Sequence, residues 1–369
     1  MRLAIRRSVL TLLLMPGVLA AQSTAGAPEL SVGEYTPRST LRVPEHRLVR
    51  AKYPFIDVHN HQRPTQTAEQ LAQMVAHMDA LNLAVLVDLS GGTNGRVADK
   101  VKLFSRYPNR FLVFTNVDFS GIDEPGWTER AVRQLEQDVR VHGARGLKIF
   151  KNLGLTVRDS RGNRVRTDDP RIDPVWAKAG ELGIPVLIHT GEPAPFFEPV
   201  DQFNERWLEL KLHPDRARPP SRYPSWEEVM QEQWSMFAKH PNTIFINAHL
   251  GWLGNDLDRL GAQLDSLPNV YTELAAVAYE LGRQPRRARA FLIEYQDRVM
   301  LGKDTWAPPE YHTYFRILET GDEYFDWYRN YHAHWKMYGL DLPDPVLRKL
   351  YYGNALKIIP GLDRSLFPD

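Results

Sequence analysis

The chain has 369 residues, 43% of them apolar, a formal net charge of +1 and no cysteine. That length buries a sizeable core, and it fits a single α/β barrel of about 250 residues with insertions. Nothing in the charge pattern points to a nucleic-acid or acidic-polymer partner, and the lack of cysteine excludes a disulfide framework.

In chain order, the first segment reads as a secretory leader over residues 1–20. Arg2, Arg6 and Arg7 form a basic stretch, Val9 to Leu19 an apolar run, and Val18 and Ala20 supply the small residues of a cleavage site. The run is too short to span a bilayer, so the mature protein is expected to be free of membrane anchors and exported, periplasmic or secreted. Arg6-Arg7 also hints at twin-arginine export. Residues 21–52 are polar, contain Pro and lack periodicity; they read as an N-terminal arm laid against the domain. From residue 53 short apolar runs alternate with amphipathic stretches. The runs are Phe55–Val58, Ala84–Leu89, Phe111–Val117, Gly146–Phe150, Ile184–His189, Thr243–Ala248, Val270–Leu274 and Val299–Leu301. Helices are expected at Thr67–Leu81, Gly95–Arg106, Trp127–Val141, Pro174–Leu182, Trp226–Lys239, Asp256–Leu267, Pro285–Tyr295 and Pro345–Lys357. Eight such units give a (β/α)8 barrel over residues 53–360, and no GxGxxG turn favours an open dinucleotide-binding sheet. Long segments follow strands four, five and eight (151–173, 190–225 and 303–344), on the face where barrel enzymes build their sites.

The chemistry gathers at those strand ends. His59 and His61 are two apart on the first strand, so both imidazoles project to one side and suit chelation of a divalent metal such as zinc. Such a pair alone is weak. His189 ends the fifth run, His249 directly follows the sixth, and Asp304 follows the eighth after Gly302-Lys303, each at the end of a buried strand. Four strands delivering metal-type ligands to one rim by accident is improbable.

This combination, with Ala248-His249-Leu250-Gly251 and the ending Tyr352-Gly353-Asn354-Ala355, resembles the amidohydrolase superfamily, in particular its amidohydrolase-related branch. The resemblance implies that His59, His61, His189 and Asp304 hold the metal. Asp304 then takes the proton of the attacking water, and His249 binds a second metal or polarises the substrate carbonyl. Lys148, on the fourth strand, is either a carboxylated lysine bridging two metals or a cation anchoring an anion, with Lys151 a competitor; one metal is favoured. Lys303 departs from the small residue the family carries before the aspartate; its side chain should point away from Asp304 and help recognise an anion. Arg63, Glu192, Trp252, Trp306 and Glu273 are candidate pocket walls, and Arg283 either clamps a substrate carboxylate or forms a structural salt bridge. His46, His77, His142, His213 and His240 read as surface residues, and His312, His332 and His334 are set aside. The leading expectation is hydrolysis of an amide, cyclic amide, ester or lactone of a small molecule. Decarboxylation of an aromatic or enoic acid is the rival, and an inactive metal-binding barrel the third reading. A homo-oligomer is possible.

Overall fold

The computed structural model describes residues 29–31 and 34–368, so the leader expected over 1–20 and the start of the arm lie outside the described residues. Residues 29–31 and 34–41 carry no helix or strand and belong to a separate unit; residue 42 onward forms the other. Within the latter, Ala51 N donates to Leu81 O at 3.1 Å and Lys52 N to Glu319 Oε1 at 3.1 Å.

Among the described residues, eight strands alternate with helices: β1 (Phe55–His61), β2 (Leu83–Asp88), β3 (Phe111–Val113), β4 (Leu147–Ile149), β5 (Val186–Ile188), β6 (Phe245–Asn247), β7 (Val270–Glu273) and β8 (Val299–Met300). All pair in parallel, in two sheets, β3-β2-β1 and β4 to β8, with Asp304–Thr305 continuing the last strand alongside β1. Backbone hydrogen bonds connect the sheets at both edges. At one seam Thr115 N donates to Gly146 O (2.9 Å) and Lys148 N to Thr115 O (2.8 Å); at the other Val58 N donates to Leu301 O (3.0 Å) and Lys303 N to His59 O (3.3 Å). The result is a (β/α)8 fold, in which every strand is covered on both faces. That burial explains why the runs are rich in Val, Ile, Leu and Phe, with buried polar exceptions such as Asp57, Lys148, Asn247 and Glu273.

The helices begin where the sequence offers caps. Thr67 forms a reciprocal capping box with Gln70, Ser225 accepts from Glu228 N, and Asp256 accepts from Arg259 N. Several ladders are shorter than the apolar runs. In the fifth, Pro185 has no N–H to donate, so it only accepts, from Leu147 N, and the strand starts at Val186. The segments expected as loops contain helices of their own: Trp207–Leu212 after β5 and Pro308–Glu319 after β8. The second was legible. Pro308-Pro309 suits a first helical turn, and Tyr311, Tyr314, Phe315 and Leu318 bury one face at helical spacing.

Candidate active site

His59 and His61 emerge together from the end of β1, as their spacing requires. His59 is wholly buried; its Nδ1 lies 2.9 Å from Glu273 Oε1, so the ring donates there and turns its Nε2 lone pair inward. His61 Nδ1 is 2.8 Å from Ser90 Oγ. Asp304 sits at a left-handed position, φ 78°, four residues beyond β8 where the last strand pairs again with β1, and its Oδ1 is 3.5 Å from Nε2 of both histidines. Glu273 fixes this arrangement. Its carboxylate also accepts from His249 N (2.7 Å) and Ala275 N. Gly302 leaves room for it: a Cβ there would stand 2.4 Å from Glu273 Oε2.

Beyond β6 the chain turns through four consecutive left-handed residues, His249, Leu250, Gly251 and Trp252. Such positions cost about 1–2 kcal/mol each for residues with a Cβ. The turn is held by the wholly buried Leu250 and by Trp252, whose ring stacks on His249 at 4.7 Å. It brings His249 Nδ1 to 2.7 Å from Ala275 O, a group that only accepts, so the ring proton is on Nδ1 and Nε2 carries a lone pair. Neutral His249 is therefore a ligand-type nitrogen, and as a donor polarising a substrate carbonyl it is not in the required tautomer. That Nε2 lies 3.2 Å from His189 Nδ1, and His189 Nε2 is buried without a hydrogen-bond partner.

Burial, first, and then the Lys148 charge and neighbouring imidazoles hold all four rings neutral. His61 and His249 are pushed down to about 4, with Asp304 opposing, and His59 and His189 lie well below the ordinary histidine value. Neutral rings are the form that binds a cation. A tetrahedral cation about 2.0–2.1 Å from each nitrogen sets its ligand atoms about 3.3 Å apart. The observed separations, 3.2 Å between His249 Nε2 and His189 Nδ1 and 3.5 Å from Asp304 to each of the first two imidazoles, suit ligands sharing a cation. His59, His61 and Asp304 form one group with donor atoms close enough for an ion, and His59, His249 and Glu273 another. The residues thus fit a divalent metal.

Lys148 is buried against this centre, with Nζ 3.3 Å from His59 Nε2 and 5.5 Å from the Phe150 ring centroid. Burial lowers it to about 7, against the attraction of Asp304 and Glu273. As an ammonium it bonds the same lone pair that a cation would need.

A cavity of about 150 Å³ opens beside the imidazoles. Glu192 and Trp252 line it together with His189, His249 and Asp304. Glu192 is held by Lys151 (2.6 Å) and Arg218 (2.7 Å). Arg63 and Trp306 instead line an adjoining groove, which His61 also borders. Two expectations are corrected. Arg283 borders neither space; it pairs with Glu205 (2.8 Å) and Glu280 (2.6 Å) and lies on the Trp335 ring, a structural salt bridge. Lys303 points away from Asp304 as expected but bonds Glu310 at 2.5 Å under the Tyr328 ring, where a carboxylate of the protein already neutralises it. His332, set aside from sequence, proves to be a buried lining residue, as do Arg206 and Glu209. Their charges sit in segments that read as exposed loops, so no periodicity marked them.

A family model described as amidohydrolase matches residues 43–360. The chain belongs to this amidohydrolase family. No curated protein matches its sequence. Among solved structures, the amidohydrolase is similar to a candidate amidohydrolase from Staphylococcus aureus, at 16% identity and a TM-score of 0.52, covering 83% of this chain and 99% of that one. It is similar also to a dihydroxybenzoic acid decarboxylase from Polaromonas, solved with manganese and 2-nitroresorcinol (15% identity, TM-score 0.53, 83% and 96% covered). A 4-oxalomesaconate hydratase from Rhodopseudomonas palustris gives 13% identity and a TM-score of 0.51, with 85% and 97% covered. At these identities the likeness concerns the fold, and it agrees with the (β/α)8 architecture of this amidohydrolase.

Proposed function

We propose that this amidohydrolase is a metal-dependent hydrolase that cleaves a C–N or C–O bond of a small amide, cyclic amide, ester or lactone. The observation that carries the reading is the Asp304 carboxylate 3.5 Å from both imidazoles of β1, a third exposed at the cavity. His59, His61, His189 and Asp304 would hold a divalent cation, with the His249 Nε2 lone pair beside it, and the ion would supply acidified water near neutral pH and polarise the carbonyl. Asp304 takes the proton from the attacking water and returns it to the leaving nitrogen or oxygen. Glu273 keeps the Nε2 lone pair of His59 aimed inward, and Trp252 packs on His249 and shields one wall from solvent. Three imidazoles and one carboxylate favour zinc, with manganese as the competing ion.

Decarboxylation is the second reading, supported by the cationic side chains around the cavity, which suit an acid substrate. Metal analysis of purified protein, followed by a screen of lactones, esters, cyclic amides and aromatic acids, tests both. Release of CO2 with no hydrolysis of any lactone, ester or amide, neutral or acidic, would overturn the hydrolase reading. Protein that binds no divalent ion would overturn both.

A further inference from the structure

The two insertions that wall the cavity bring together more positive charge than their own carboxylates neutralise. Arg206 and Arg216 share one carboxylate, Glu209: Arg206 donates to it through Nε (2.8 Å) and NH2, and Arg216 through NH1. Arg206 is 3% exposed and also donates to Tyr279 Oη at 2.5 Å, which fixes it as a buried charge beneath the wall. Arg216 is bonded through NH1 alone and keeps its other donors, with its side chain 34% exposed. Arg329, from the third insertion, hydrogen-bonds through NH2 alone, to Thr305 Oγ1 (3.2 Å) and Glu310 Oε2 (3.4 Å), with its guanidinium 5.4 Å from the Tyr328 ring centroid. Thr305 adjoins Asp304, so Arg329 stands beside the metal ligands while its remaining donors stay available.

Among these guanidiniums lies His332, 6% exposed, with Nδ1 buried and unbonded and Nε2 3.7 Å from Glu209 Oε1, too long for a hydrogen bond. Burial, then Arg206, Arg329 and Arg216, push it down to about 2, so it is a neutral ring offering a single N–H. A buried polar nitrogen among cations with no partner of its own is costly unless a ligand completes it. Guanidinium groups with free N–H donors are matched in geometry and charge by an oxyanion.

We propose that Arg216, Arg329 and His332 receive a carboxylate of the substrate. This rests on the metal-dependent reading above and narrows it: the substrate is an acid whose reacting carbonyl lies at the imidazole cluster and whose separate carboxylate lies in the insertion wall. A cavity near 150 Å³ holds about one six-membered ring, so the two groups belong to a compact molecule.

The test uses metal-loaded protein and two probes of the same shape, isophthalate and its monoamide, 3-carbamoylbenzoate, with affinities read by calorimetry. Wild type should bind the diacid at least about tenfold more tightly, the worth of a charge-assisted hydrogen bond. Arg329→Met, and separately Arg216→Gln at its exposed position, should collapse that preference, while Arg329→Lys restores part of it; metal content and circular dichroism should stay at wild-type values. Equal affinity for the two probes in wild type, or an undiminished preference in both neutral variants, overturns the proposal. Tighter binding of 3-phosphonobenzoate than of isophthalate overturns the choice of carboxylate. Metal-replete protein with no preference sinks this inference alone; a preference that persists in protein binding no metal sinks the metal reading and leaves the carboxylate site standing.

Discussion

Replacing Gly302 by alanine should damage the metal centre without touching a ligand. The added Cβ would stand 2.4 Å from Glu273 Oε2 and 2.9 Å from His59 Cβ, where ordinary contact begins at 3.4 Å. The Glu273 carboxylate therefore has to retreat by roughly an ångström, and at that displacement it no longer holds His59 Nδ1, His249 N and Ala275 N together. Overpacking of this kind costs about 1–3 kcal/mol of stability. Losing the group that orients a metal-binding histidine costs about 10- to 100-fold in metal affinity. Competition against a chromophoric chelator should show that weakening in Gly302→Ala, with far-ultraviolet circular dichroism unchanged. Glu273→Gln should weaken binding comparably, because the amide presents a donor toward an N–H that already donates. Wild-type affinity and stability in Gly302→Ala would refute the reasoning, and a loss in Gly302→Ala without one in Glu273→Gln would shift the cause from the carboxylate to His59 itself.

His59→Ala or His61→Ala should remove most bound metal and activity together while secondary structure survives; full occupancy in both variants would sink their assignment as ligands. Asp304→Asn should lower kcat by at least about a hundredfold with substantial metal still bound, since an amide oxygen can reach a cation but cannot take a proton from water. Lys148 separates one metal from two. Elemental analysis should give one ion per chain, and refilling stripped protein should be independent of bicarbonate; two ions with added density on the Lys148 side chain would reverse that. The metal-free protein should lose stability on acidification. The folded values of His61 and His249, near 4, lie below the unfolded histidine value of about 6.5, so the unfolded chain binds more protons between them. Stability is thus full above about pH 6.5 and falls toward pH 4 by about 1.4 kcal/mol per pH unit for each group, visible as a declining denaturant midpoint; a flat midpoint across that range would show the rings already charged.

The sequence made the barrel and its imidazoles legible for one physical reason: both are local patterns. Continuous apolar runs mark strands covered on two faces, and a histidine or aspartate directly after such a run has only the barrel mouth to occupy. Glu273, by contrast, looked like one more wall residue, because its importance comes from contacts with His59, His249 and Ala275 that spacing does not encode. His332 and Arg206 were hidden by their setting, a Pro- and aromatic-rich stretch with no periodic face, where burial arises only once the two insertions fold over the cavity. Arg283 failed in the opposite sense: a strand-end arginine near the mouth suits an anion, but Glu205 and Glu280 reach it first.

The two seams that close the barrel also divide its donors. The strands before the Thr115–Gly146 seam, β1 to β3, carry His59 and His61; β4 to the end of the last strand carry Lys148, His189, His249 and Asp304. Neither arc owns the whole of the proposed ligand set, and the carboxylate that would complete the first pair lies on the last strand to be synthesised. Under the proposed metal reading, cation capture would be a chemical signature of ring closure. On the proposed ligand set, a chain split in the stretch linking β3 to β4 should hold the ion fully only once its two arcs meet, so metal uptake would serve as a clock for the final step of assembly.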